Sequence, residues 1–194
     1  MHPLLDRLHR RLHRWLRHKA LSTWDALVRR ARGGSPDRFV RITDRLWLGG
    51  QPGRRGLPRL AAAGVTAVVN LRDEYDYAHR AEAGGLRYLH LPTVDHEAPA
   101  LAHLAEGVAF VRDELARGGH VYVHCLQGVG RGPTLAAAYF VAEEGLSPEA
   151  AWARVRQGRP IARPNAKQRA RLDAFARGRR AERESPGARA APGL

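Results

Sequence analysis

The sequence predicts an α/β domain, a central and mostly parallel sheet flanked by helices, and three observations carry that prediction. Residues 65–71 form a short apolar run rich in β-branched side chains, the pattern of a strand buried on both faces. Leu101, Leu104, Val108, Val111 and Leu115 then recur at intervals of three and four, which marks an amphipathic helix closed by Gly118 and Gly119. Residues 120–124 make a second strand that runs into a glycine-bearing turn and a further helix. Strand, helix, strand in this order favours parallel pairing, because a helical crossover returns the chain to the same edge of the sheet.

Taken in order, residues 3–30 read as helix, with Leu4, Leu8, Leu12, Leu16 and Ala20 every four residues and Trp15, Trp24, Leu27 and Val28 broadening the stripe. Ser22 followed by Asp25 has the spacing of a capping box, which would break this segment into two helices. The basic opposite face fits two arrangements: a helix packed on the domain, or one lying on an anionic membrane surface through residues 1–32. Arginine interrupts every apolar turn, so there is no secretory signal pattern, and no apolar run approaches the ~20 residues of a membrane span. Gly33, Gly34, Ser35 and Pro36 form a linker, and residues 39–43 and 45–48 a hairpin at the domain edge.

A helix at 58–63 leads through Gly64 into the strand at 65–71. The stretch Arg72, Asp73, Glu74, Tyr75, Asp76 follows, where a parallel sheet presents its C-terminal loops to a ligand. A short helix at 78–83, a strand at 86–91 and a loop at 92–99 containing Asp95 come next. Beyond the strand at 120–124, helices are expected at 133–144, 148–157 and 165–176, with Ser147 before Pro148, and Asn165 three residues before Gln168, as start signals. The chain so divides into a basic N-terminal helical segment and linker (1–36), a folded body (37–177) and a disordered basic tail (178–194).

The formal charge of +14 would ordinarily suggest nucleic acid. Its distribution argues otherwise. Residues 1–32 hold nine Lys or Arg against Asp6 and Asp25, net +7, and residues 177–194 hold five against two, net +3. The 144 residues between them carry only +4, and no nucleic-acid motif appears, so no nucleic-acid partner is expected. The single cysteine excludes an intramolecular disulfide and points to a reducing, cytoplasmic setting, peripheral on the inner face of a membrane if residues 1–32 bind lipid. Ten histidines show no metal-ligand spacing, and neither metal nor cofactor is expected.

That one cysteine, Cys125, lies between strand and helix in the stretch VHCLQGVGRGPT. Five residues separate it from Arg131, and Gly128 and Gly130 free the backbone of Leu126, Gln127, Gly128, Val129 and Gly130 to turn its N–H groups around an anion. A helix starting near Gly132 would aim its positive end at the same point, favouring bound phosphate and a thiolate together. Arg131 adds a planar fork able to hold two phosphate oxygens. Asp95, thirty residues upstream, suits an acid that protonates a leaving oxygen, with Asp73 and Asp76 as rivals. His124 fits a hydrogen-bonding support for the loop; Asp73, Glu74 and Tyr75 fit either a substrate-facing loop or a plain turn; Trp47 and Trp152 fit the core.

His124, Cys125 and Arg131 in this spacing resemble the signature of the cysteine-dependent protein tyrosine and dual-specificity phosphatases. The likeness spans about residues 40–176. The segments at 93–96, 121–125, 137–140, 147–151 and 163–165, with the 73–76 loop, look like the mitochondrial phosphatidylglycerophosphate phosphatase branch. The resemblance implies a dual-specificity phosphatase-like fold, Cys125 as nucleophile forming a phosphocysteine, Arg131 as phosphate clamp, and Asp95 as general acid and then base. The implied partner is a phosphorylated substrate, either a lipid such as phosphatidylglycerophosphate or a phosphotyrosine or phosphoserine protein. Two positions depart from the family: Gly132 stands where a Ser or Thr usually assists thiol departure, and Gln127 where Ala is frequent. Thr134, two residues on, is the nearest hydroxyl. Two other classes use similar parts: a rhodanese-like sulfur transferase, which has no need of Asp95, and a phosphate-binding module with little turnover, suggested by Gly132.

Overall fold

The computed structural model describes residues 39–52 and 55–184, all within the unit Arg38–Leu194. The expected helix at 3–30, its capping box, the linker at 33–36 and the membrane-facing reading of residues 1–32 lie outside the described residues. Five strands, β1 (Phe39–Arg41), β2 (Leu46–Gly49), β3 (Ala67–Arg72), β4 (Arg87–Thr93) and β5 (Val121–His124), form one sheet in the order β1-β2-β5-β3-β4. Among the described residues only β1 and β2 pair antiparallel, as the expected hairpin; β2 with β5, β5 with β3, and β3 with β4 are parallel. Threonine chemistry closes the hairpin, with Leu46 N donating to Thr43 Oγ1 at 2.9 Å and Ile42 N to Leu46 O at 2.8 Å.

Strand alternation sorts the core into two layers. Leu46, Leu48, Ala67, Val69, Val121 and Val123 face one side, where they meet α3 (Leu101–Ala116), α4 (Arg131–Glu143), α5 (Pro148–Gly158) and α6 (Ala166–Glu184). Trp47, Val68 and Tyr122 face the other, against Leu57 and Leu60 of α1 (Gly56–Ala62) and Ala81 of α2 (Ala78–Ala83). Trp47 and Trp152 are both buried, as core residues. Parallel pairing puts the C-terminal ends of β5, β3 and β4 on one edge, so the loops beginning at Cys125, Asp73 and Val94 converge there.

Two expectations need correction. The helix after Gly130 begins at Arg131, two residues before Pro133, because a first-turn N–H has no intrahelical partner and proline loses nothing there. The last helix does not stop at 176, nor do residues 178–184 belong to a disordered tail: α6 continues to Glu184. Arg179–Glu182 and Arg180–Glu184 pairs at one-turn spacing, in a run of good helix formers, carry it through Gly178. Residues 185–194 are outside the described set. Both helix starts read from sequence hold. Ser147 Oγ accepts from Ala150 N at 3.2 Å, and Asn165 and Gln168 bond reciprocally, each backbone N–H to the other's side-chain oxygen at 3.0 Å.

Candidate active site

The polarity of the loop from Cys125 to Arg131 is set by where its carbonyls go. Cys125 O lies 3.1 Å from His124 Nδ1, and Leu126 O accepts from Gln51 N at 3.0 Å. Gln127 O and Gly128 O accept from the Arg159 guanidinium at 2.8 and 2.6 Å, and Val129 O accepts from Arg163 N at 2.8 Å. All five therefore point into surrounding protein. A peptide unit is planar, with its N–H opposite its C=O, so the N–H groups of Leu126, Gln127, Gly128, Val129 and Gly130 turn toward the loop's centre. Gly128 N donates to Cys125 Sγ at 3.3 Å, which shows one of them doing so. Gly128 has φ +66°, and any Cβ there would press into the Gly49 carbonyl, so the turn requires glycine.

Arg131, 2% exposed, reaches from the first turn of α4 across the ends of β3 and β4. Its Nη1 donates to Thr93 O at 2.7 Å and, at the longer distance of 3.4 Å, to Leu71 O. Three carboxylates from two loops surround the same guanidinium. Glu74 takes a two-pronged contact at 3.1 and 3.3 Å, Asp95 Oδ1 lies 2.9 Å from Nη2, and Asp73 Oδ1 stands off at 3.8 Å from Nη1. Burial, the largest single influence, would raise the Glu74 carboxyl, but hydrogen bonds from Arg131, Asp73 and the backbone, with the Arg131 charge, together outweigh it and hold the group well below the usual range. Asp73 moves the other way, raised by its hydrogen bond to Glu74 and by burial.

Of the candidate acids, Asp95 has the shortest approach to Arg131, and Asp76 is engaged elsewhere. Asp76 Oδ1 accepts from Ala78 N at 3.1 Å and from the Tyr88 hydroxyl at 2.9 Å, so it starts α2 and ties it to β4. The Asp95 loop is anchored to the start of α6: Asn165 Nδ2 donates to His96 O at 2.7 Å, and Gln168 Nε2 to Glu97 O at 3.1 Å. His96 is the one non-glycine residue with positive φ among those described, at 65°, a left-handed conformation that this anchoring sustains. Tyr75 is 40% exposed at the rim, with Arg72 over its ring at 5.5 Å and Arg80 donating to its hydroxyl at 3.2 Å.

His124 supports the loop from behind. Its Nδ1 must carry the hydrogen, since its partner Cys125 O can only accept; Nε2 is then the acceptor for the Tyr77 hydroxyl. Complete burial, reinforced by Arg72, Arg131 and His90, pushes the imidazole down to about 3, so it is neutral at physiological pH. Burial also raises the Tyr77 phenol, keeping its O–H available. Thr134 is fully buried and donates to Gly130 O at 2.9 Å, so its hydroxyl hydrogen is directed along the helix and not toward the sulfur.

Four contributors escaped the sequence reading: Arg159, Gln51, Tyr77 and Asn70. Asn70 organises the turn after β3, donating to Tyr75 O at 2.7 Å and the Tyr88 hydroxyl at 2.8 Å while accepting from Arg72 N at 3.0 Å. It alone had left a signal, as a lone amide in an apolar strand, where a buried polar group must find partners.

The chain also has relatives among known proteins. The dual specificity phosphatase catalytic domain family matches residues 46–177. Phosphatidylglycerophosphate phosphatase PTPMT2 of Arabidopsis thaliana is 30% identical over 140 residues, covering 70% of this chain and 61% of that protein. Dual specificity protein phosphatase 12 of Rattus norvegicus is 33% identical over 127 residues, 65% of this chain and 38% of that protein. The chain thus spans less than two thirds of the length of these relatives. Among solved structures, PTPMT1 in complex with PI(5)P superposes with a TM-score of 0.72 at 30% identity, covering 76% of this chain and 99% of that one. Human DUSP28 gives 0.67 at 29% identity, covering 74% and 96%.

Proposed function

This chain belongs to the dual specificity phosphatase family, and from that premise we propose that it hydrolyses phosphomonoesters through a phosphocysteine at Cys125. The observation that carries this reading is the set of loop carbonyls turned outward, with Gly128 N–H donating to Cys125 Sγ at 3.3 Å and the buried Arg131 fork beside it. Phosphate entering the ring draws Arg131 donors from Glu74 and Asp95, placing phosphorus against the sulfur. The S–P bond forms as the bond to the leaving oxygen breaks, and the Asp95 carboxyl gives that oxygen its proton. Water then attacks phosphorus, the S–P bond breaks, Asp95 takes the water's proton, and inorganic phosphate leaves. A sulfur transferase would have no use for Asp95 beside the clamp.

For the substrate we favour a phospholipid monoester such as phosphatidylglycerophosphate over a phosphoprotein. Tyr75, Val94 and Leu101 are the large hydrophobic side chains exposed among the described residues, and all three lie on segments at the catalytic edge of the sheet. Similarity to a phosphatidylglycerophosphate phosphatase and to a structure holding PI(5)P supports the same class. The net +7 of residues 1–32 would add attraction to an anionic bilayer.

The deciding experiment measures phosphate release by the full chain from a soluble aryl phosphate and from phosphatidylglycerophosphate in anionic vesicles, with Cys125→Ser as control. Turnover should fall by several orders of magnitude in Cys125→Ser while inorganic phosphate still binds, because the alcohol is not ionised at neutral pH. Activity persisting in that variant defeats the mechanism. Equal rates on soluble and vesicle substrates, insensitive to salt, defeat the lipid assignment and leave the hydrolysis standing.

A further inference from the structure

Two of the five loop carbonyls described above are held by one side chain, and it lies outside the signature. Arg159 caps the C-terminus of α5 and is 5% exposed. Its Nε donates to Gly128 O at 2.6 Å and its Nη2 to Gln127 O at 2.8 Å. Each bond fixes the opposite face of its peptide unit. With Gln127 O pinned outward, Gly128 N–H points inward, and it is this N–H that donates to Cys125 Sγ at 3.3 Å. With Gly128 O pinned outward, Val129 N–H points inward as well. These are also the two peptides that flank Gly128, whose φ of +66° gives the turn. A glycine permits the reversed peptide almost as readily as the observed one, so the residue that allows the turn also makes its polarity reversible. A reversed unit would aim a carbonyl oxygen at a phosphate dianion.

We propose that Arg159 is a positioning residue for the reaction: it fixes the donor polarity of the Gln127–Gly128 and Gly128–Val129 peptides, and through them the N–H aimed at the nucleophile. The proposal rests on the phosphatase reading of the loop, but its test does not depend on turnover. Arg159→Met keeps the stem and removes both bonds; Arg159→Lys keeps the charge but cannot present the planar two-donor fork. Inorganic phosphate binding is titrated calorimetrically in both variants and in the wild type. Cys125 alkylation by iodoacetamide is timed at one fixed pH, and circular dichroism checks the fold.

Arg159→Met should weaken phosphate binding by roughly 10- to 100-fold, the scale of lost preorganised donors in an anion hole. It should also slow alkylation, with native circular dichroism. Arg159→Lys should be weakened several-fold. If Arg159→Met does not fold, the lysine variant carries the test. A folded Arg159→Met that keeps wild-type phosphate affinity and alkylation rate overturns the proposal. So does full recovery in Arg159→Lys, which would show that positive charge behind the loop acts without the two-carbonyl clamp. Wild-type protein that binds phosphate but hydrolyses no phosphomonoester would sink the phosphatase reading and leave this one intact.

Discussion

Two clusters in this molecule use the same charges with opposite burial, and they sit at opposite ends of the sheet. Near the strand N-termini, Glu114 is the buried member, its side chain 6% exposed, while its arginine partners Arg87 and Arg117 are 47% and 59% exposed. The Thr66 hydroxyl completes that carboxylate's shell at 2.6 Å. At the C-terminal edge Arg131 is the buried member at 2%, and Asp73, Glu74 and Asp95 are 36%, 35% and 30% exposed. A buried charge demands a partner, but it does not demand a particular one. Around Arg131 the replaceable partners are the partly exposed acids, which water can receive if phosphate takes their place as proposed. Around Glu114 the mobile partners are cations, so no incoming anion can take over the buried position. The chemical identity of an ion pair does not mark a site; which member is buried does.

The largest expected effect tests whether the exposed acids divide their labour. Asp95→Ala should slow release of poorly departing alcohols by about 10² to 10⁴, while aryl phosphates with good leaving groups are nearly unaffected. Affinity for inorganic phosphate should hold or rise, since a negative charge leaves the clamp. Asp73→Ala, removing the carboxylate that stands off at 3.8 Å, should change neither quantity much. The leaving-group dependence appearing in Asp73→Ala instead would mean that the proton comes from the other loop.

A smaller effect separates the clusters directly. Glu74→Ala and Glu114→Ala should each lower stability by about 1–2 kcal/mol through lost charge-assisted hydrogen bonds. Saturating inorganic phosphate should then raise the melting temperature of Glu74→Ala by more than it raises that of wild type, because the anion fills the vacated place beside Arg131. Its effect on Glu114→Ala should equal that on wild type. Acidification gives the same contrast. Burial opposes the shift in both, yet Arg131 for Glu74, and Thr66 with Arg87 for Glu114, hold these carboxyls below the usual glutamate range. Each contributes stability that is present above the ordinary glutamate pKa and is lost as pH falls below it. The Glu74 share should shrink when phosphate is bound. Identical phosphate increments in wild type and both variants would erase the distinction between the clusters.

What could be read from the chain follows the same division. Cys125 through Arg131 is contiguous, so a single turn of sequence displays the proposed nucleophile, cradle and clamp, and the reciprocal cap of Asn165 with Gln168 is equally local. Arg159 carries no local mark that separates it from its neighbours Arg154, Arg156 and Arg163; only the return of α5 to the loop gives it a role. Convergence of Glu74 and Asp95 on one guanidinium likewise depends on β3 and β4 being adjacent in the sheet, which strand order decides. The segment after 176 misled in the reverse direction: its charge density reads as a disordered tail, but ion pairs at one-turn spacing continue the helix to Glu184.

The smallest effect concerns the one place where the cradle side of the site lacks a group. In the proposed second step the S–P bond breaks and the departing sulfur gains charge, and a hydroxyl directly after Arg131 would be a donor for it. Gly132 offers none, and the Thr134 hydroxyl is bonded to Gly130 O at 2.9 Å. Hydrolysis of the phosphocysteine should therefore limit turnover, giving a rapid burst of leaving group close to one per enzyme before a slower steady state. Space for the missing group exists at little cost: a Cβ on residue 132 would stand 3.5 Å from Cys125 N and 3.2 Å from Leu48 Cδ1, a methyl able to give by a few tenths of an ångström. Gly132→Ser should accordingly raise the steady-state rate by roughly 3- to 10-fold, the value of one modest hydrogen bond, and shrink the burst. Gly132→Ala, with the same Cβ and no hydroxyl, should show neither change. A wild type without a burst, or alanine matching serine, would assign the slow step elsewhere and leave the backbone cradle sufficient for both halves of the reaction.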